Sequence, residues 1–140
     1  MRREQLSINR ATVNDLIVED DLIKITDKAE PGTGAKTLTA AMLLGGLVDE
    51  DPEGAATWTT STAALLYAAI PDVKVGSTFQ TIIKNSATAA SAEAVTLAGG
   101  TGVTMHGVAL TLTEGTNETA LLFFRITSAT TADCYVLTNA

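Results

Sequence analysis

From residue 75 onward the chain is a succession of short β-branched and aromatic runs cut by Gly, Ser and Asn. That punctuation constrains the fold more than any other feature. Val75-Gly76-Ser77-Thr78-Phe79 leads into Ile82-Ile83-Lys84-Asn85-Ser86, and Val95-Thr96-Leu97-Ala98 runs into Gly99-Gly100-Thr101-Gly102-Val103-Thr104 before Gly107. Runs of this length and chemistry, separated by turn residues, read as strands of a compact all-β module. The pattern places strands near 78–84, 93–98, 102–106, 108–113, 119–127 and 133–138. Glu114-Gly115-Thr116-Asn117 and Ser128-Ala129-Thr130-Thr131 form turns between them. With strands from the first half the total is about eight, which suits two sheets packed ~10 Å apart.

The first half is less regular. Residues 1–35 mix both charge signs with two short apolar patches, Leu16-Ile17-Val18 and Leu22-Ile23-Lys24-Ile25, joined by Glu19-Asp20-Asp21. Glu30-Pro31-Gly32-Thr33-Gly34 then breaks the chain. The segment reads either as an extended N-terminal arm with a hairpin, followed by a domain over 36–140, or as the first two strands of the domain itself. Thr37-Leu38-Thr39 suits a strand, whereas Ala40-Ala41-Met42-Leu43-Leu44 fits a helical turn equally well. One short helix is expected over 63–70. Ser61 or Thr62 can accept from its free N–H groups, and Pro71 stops it. Leu66 with Ile70, and Leu65 with Ala69, would set an apolar stripe against a sheet.

Composition narrows the function. At 140 residues with 46% apolar content the chain buries roughly two thirds of its unfolded surface as one domain. Aromatics are only 4%, so the core has little large-ring area, and association with a partner would bury more. A net charge of −7, with Arg125 the one cation after Lys84, argues against a nucleic-acid groove. A single Cys excludes an intrachain disulfide framework. No apolar run approaches the ~20 residues of a membrane span, and Met1-Arg2-Arg3-Glu4-Gln5 leads into polar sequence without a signal-peptide core. The chain is therefore expected to stay in the cytoplasm where it is made.

The motifs that hint at chemistry fail on their spacing. Gly32-Thr33-Gly34-Ala35-Lys36-Thr37 has Ala35 where a phosphate-binding loop needs Gly, and Pro31 where the first Gly should stand. Gly99-Gly100-Thr101-Gly102 precedes a strand where a dinucleotide loop requires a helix, and so reads as a tight turn. Asp49-Glu50-Asp51-Pro52-Glu53 concentrates four carboxylates, which calcium would accept. It lacks the alternate-position spacing of a calcium loop and reads as a solvated turn. Cys134 and His106 form the one thiol–imidazole combination, with Cys134 in a β-run as a core filler and His106 exposed at a hairpin end. One His and one Cys fall short of a zinc site. Asn117-Glu118-Thr119 matches a glycosylation sequon but sits in a turn. Thr96, Thr104, Thr111, Thr113 and Thr127 favour extended backbone and keep an outer face polar. No catalytic residue, metal ligand or cofactor emerges.

The order of Gly46-Leu47-Val48-Asp49-Glu50-Asp51-Pro52-Glu53-Gly54-Ala55, Thr62 to Pro71, Val75 to Phe79, Ile83-Lys84-Asn85, Val95-Thr96-Leu97 and Gly99 to Thr104 resembles a β-module of tailed-phage and large-virus structural proteins. The resemblance spans about residues 45–138, and in tailed phages modules of this look serve as capsid cement (decoration) proteins of jelly-roll fold. It departs where Asp49-Glu50 replaces an Arg before the Asp-Pro pair, and at Met105-His106. It implies an all-β, jelly-roll-type β-sandwich that is not an enzyme. The protein would coat the outer surface of a virion, bind the major capsid protein and cement neighbouring shell subunits. It would also associate with itself as a dimer or trimer at local symmetry axes.

An arm suited to strand addition would carry the attachment through Arg2, Arg3, Arg10, Leu16, Ile17, Val18, Leu22, Ile23, Lys24 and Ile25. Lys28 adds a further cation. The rival reading is a glycan- or receptor-binding module of a tail or head fibre. Trp58, Tyr67 and Tyr135, widely spaced, argue against a stacking platform for sugars.

Overall fold

The computed structural model describes residues 27–88, 93–107 and 110–138. The chain is mostly β, with mixed sheets. In order the elements are β1 (Asp27–Ala29), β2 (Lys36–Thr37), α1 (Ala40–Leu44), β3 (Gly46–Glu50), β4 (Ala56–Thr59), α2 (Ala63–Ala69), β5 (Thr78–Asn85), β6 (Ala94–Ala98), β7 (Val103–His106), β8 (Thr111–Thr113), β9 (Thr119–Ile126) and β10 (Ala132–Thr138). The six strands expected after residue 77 are all present. Of the strand expected at 108–113, residues 108 and 109 lie outside the described residues, Leu110 is not in a strand, and β8 covers Thr111–Thr113.

A six-stranded sheet runs β1-β3-β5-β9-β10-β7 and a four-stranded sheet runs β2-β4-β6-β8. From β1 to β6 the chain alternates between the two sheets and returns in the same direction each time. β1, β3 and β5 therefore pair in parallel, as do β2, β4 and β6. The β9–β10 hairpin adds antiparallel pairing beside β5, and β7 lies parallel to β10. A jelly roll is an antiparallel architecture. Five of the eight pairings among the described residues are parallel, so this coiled winding replaces the expected one.

Period-two alternation builds the core. β9 turns Ala120, Leu122, Phe124 and Ile126 inward, β10 adds Ala132, Cys134 and Val136, and β4 and β6 supply Trp58, Val95 and Leu97 from the smaller sheet. All belong to one cluster, and partly buried Phe79 packs against it, stacking on Phe124 with ring centroids 4.6 Å apart. Asn85 is fully buried. Its Nδ2 donates to the carbonyls of Glu93 and Leu112, and its Oδ1 accepts from Ala87 N. This tie between the sheets does not show in the sequence, where Asn85 reads as turn punctuation.

Two helices occur among the described residues, not one. Thr39 Oγ1 accepts from Met42 N at 3.2 Å and starts α1, while Thr62 Oγ1 accepts from Leu65 N and starts α2. Pro71 follows α2, whose last flanking residue, Ile70, is already extended. Leu66 and Ile70 face the core as expected, but Leu65 and Ala69 point outward, so the apolar stripe is Ala63, Leu66, Ile70. Asp27–Ala29 is an edge strand of the larger sheet, paired with β3, and the expected arm before residue 27 lies outside the described residues. No helix among the described residues is long and apolar enough to cross a membrane.

Candidate interaction face

Of the ten residues assigned to shell attachment, Arg2, Arg3, Arg10, Leu16, Ile17, Val18, Leu22, Ile23, Lys24 and Ile25, every one lies outside the described residues. The surface feature that the described residues build is elsewhere, on the outer face of the six-stranded sheet. Strand register aligns Leu47, Ile82, Leu121 and Leu137 side by side across β3, β5, β9 and β10. One step along, Gln80, Phe123, Tyr135 and His106 form a second row across β5, β9, β10 and β7. Leu137 is 61% exposed and Tyr135 40%. Apolar side chains at adjoining cross-strand positions make a continuous patch, which is rarer on a monomer surface than scattered single residues.

Charges frame this patch with both signs. Asp49 and Lys84 are register partners at one edge, and Lys28 Nζ reaches Asp49 Oδ2 at 3.4 Å and Glu30 Oε1 at 3.0 Å. The hydrogen bond to Glu30, followed by the Asp49 charge, raises the Lys28 pKa against the opposing effect of desolvation. At the other edge Arg125 faces Asp133 in register. His106 Nε2 lies 3.0 Å from Asp133 Oδ1, and its ring stacks on Tyr135 at 4.9 Å.

The sequence pattern missed this face because it weighed the wrong aromatics. Trp58 is fully buried and Tyr67 packs against the core, so of the three residues considered only Tyr135 is outward. Phe123 and His106 join it through pairing that no local sequence signal announces.

The thiol–imidazole combination is dismantled by the same alternation. His106 faces outward opposite Tyr135, whereas Cys134 points into the core opposite Met105. Burial pushes the Cys134 thiol up to about 12, far from a nucleophilic thiolate at neutral pH. The amides of the glycine-rich bend before β2 are already paired: Gly32 N donates to Glu50 Oε2 and Gly34 N to the Pro52 carbonyl. In the acidic loop, Glu50 Oε1 accepts from Asp51 N and Asp51 Oδ1 from Glu53 N, so these carboxylates satisfy the loop's own backbone. Among the described residues no group of three or more His, Cys, Asp or Glu is placed to hold a metal ion.

Glu93 carries the clearest electrostatic penalty. Desolvation, and then the charges of Asp51, Glu114 and Glu53, raise its pKa above the ordinary carboxylate value. The folded state therefore binds more protons than the unfolded chain between the ordinary pKa and the raised one, and stability falls as pH rises through that window. Below the ordinary carboxylate pKa both states are protonated and the penalty is absent. Glu93→Gln should accordingly raise the melting temperature at pH 7 and have no such advantage near pH 3. Melting curves at both values check this, and an equal shift at both would show that charge is not the cause.

Compared with protein-family models, with curated proteins and with solved structures, the chain finds no match.

Proposed function

We propose that the chain is a structural virion protein that binds the outer surface of a phage capsid and cements neighbouring major capsid subunits. The supporting observation is the continuous apolar and aromatic face on a rigid β-sheet, with Leu137 and Tyr135 well exposed. Such a surface serves association between protein chains, as in an assembled structural protein, rather than turnover of a small substrate, and leaves shell attachment to the N-terminal segment. The resemblance over residues 45–138 supplies the class of partner. Shell binding does not require jelly-roll winding, since a two-sheet core coiled in another order presents surfaces as well.

A glycan- or receptor-binding module is the second reading. It gains from the clustering of Phe123, Tyr135 and His106 on one outward row beside Asp133, which spacing in the sequence did not reveal.

The test is co-purification with intact heads. The protein should be present in numbers comparable to the shell subunit, and deletion of residues 2–26, which spares β1, should abolish this while leaving the circular dichroism of the fold unchanged. Absence from heads, with retention on a glycan array, would replace the first reading by the second.

A further inference from the structure

We infer that the outer face of the six-stranded sheet joins two copies of this chain into an isologous dimer. The inference goes beyond shell binding and holds for the purified protein whether or not it coats a capsid. The size of the face is the first reason. Five strands, β3, β5, β9, β10 and β7, lie ~4.8 Å apart and the longest span ~26 Å, giving about 500 Å² in plan. Pleating and projecting side chains raise this toward the ~800 Å² per partner of a standard interface.

Charge is the second reason, and it selects a second copy as the occupant. The whole chain carries −7, and the charges of Asp51, Glu53 and Glu114 gather about Glu93, which leads into β6 of the smaller sheet. Copies meeting through the acidic region would repel. On the outer face the strands carry Lys28, Lys84 and Arg125 against Asp49 and Asp133, close to neutrality with both signs present. A two-fold interface brings a surface against itself, so it needs an apolar centre flanked by both signs. The Leu47–Ile82–Leu121–Leu137 row lies between the Asp49/Lys84 edge and the aromatic row, beyond which comes the Arg125/Asp133 edge.

A dimer of this kind would carry two copies of the N-terminal segment assigned to shell attachment, which is what linking neighbouring subunits requires.

Sedimentation equilibrium of the full chain over a range of concentrations tests the inference. The wild type should fit a monomer–dimer equilibrium. Leu137→Asp places a charge in the apolar row. It should weaken dimerisation roughly 30-fold per site, and about 1,000-fold counted twice across the two-fold. Leu65→Asp, equally exposed but on α2, should leave the constant unchanged. Circular dichroism confirms that each variant is folded, and Tyr135→Lys takes the place of Leu137→Asp should the latter unfold. A wild type that stays monomeric, or a folded outer-face variant that dimerises like the wild type, would overturn the inference. Failure here is separate from failure to bind heads, because no capsid is present.

Discussion

Trp58→Ala should cost about 3–5 kcal/mol of stability, the range for truncating a buried large aromatic. Trp58 is the chain's one tryptophan and is fully buried on the inner face of β4, opposite Leu97 of β6. With aromatics at only 4% of residues, few other rings can move in to fill the space it leaves. Its Nε1–H also donates to the Gly34 carbonyl at 3.3 Å, which ties the breaker before β2 to the core. A domain typically has only ~5–15 kcal/mol in hand, so the variant should be largely unfolded by mild denaturant. Urea titration followed by far-ultraviolet circular dichroism measures this, since the substitution removes the fluorescent probe. Trp58→Phe should lose far less, because most of the apolar volume stays and only the indole bond goes. A Trp58→Ala variant within ~1 kcal/mol of wild type would mean that the two sheets are not held together through this ring.

Gly102→Ala should be the next most damaging change, at roughly 2–5 kcal/mol. Gly102 has φ +81°, a left-handed conformation costing about 1–2 kcal/mol for a residue with a Cβ. A Cβ there would also sit 2.1 Å from the Thr130 carbonyl oxygen and 3.1 Å from Ala63 Cβ, adding overpacking of about 1–3 kcal/mol. The Thr130 carbonyl cannot easily retreat. Ser128 Oγ accepts from Thr130 N, and Thr131 Oγ1 is within hydrogen-bond distance of both Thr127 Oγ1 and Ser128 Oγ. The Gly102 carbonyl in turn accepts from Ala132 N at the start of β10, so any shift propagates into the β7–β10 pairing.

Gly115→Ala isolates the backbone contribution. Gly115 has φ +73° but open space around its missing Cβ, so only the conformational cost applies. Chemical denaturation of both variants should show Gly102→Ala clearly worse. Equal losses would mean that the close approach at Thr130 relaxes freely.

Sequence alone was enough to place the strands after residue 77, because alternation and Gly, Ser and Asn breakers are local signals. The capped, proline-terminated α2 is legible for the same reason: Thr62 supplies the N-cap and Pro71 forbids continuation. So is the role of Cys134 as a core residue. Which strands pair is not local. The parallel return of β1, β3 and β5 depends on how each crossover packs against the core, and no short window of residues records it.

The outer face shows the limit most clearly. In Thr119–Ile126, Thr119 and Arg125 mark the set with Leu121 and Phe123 as outward and leave Ala120, Leu122, Phe124 and Ile126 for the core. That alternation does not say which residues of other strands lie beside either set. A one-residue shift in register would exchange them. Only pairing with β5 and β10, with Phe124 stacked on Phe79 on one side and Phe123 aligned with Tyr135 on the other, sets Leu121 beside Ile82 and Leu137 and so makes a continuous outer face from residues far apart in the chain.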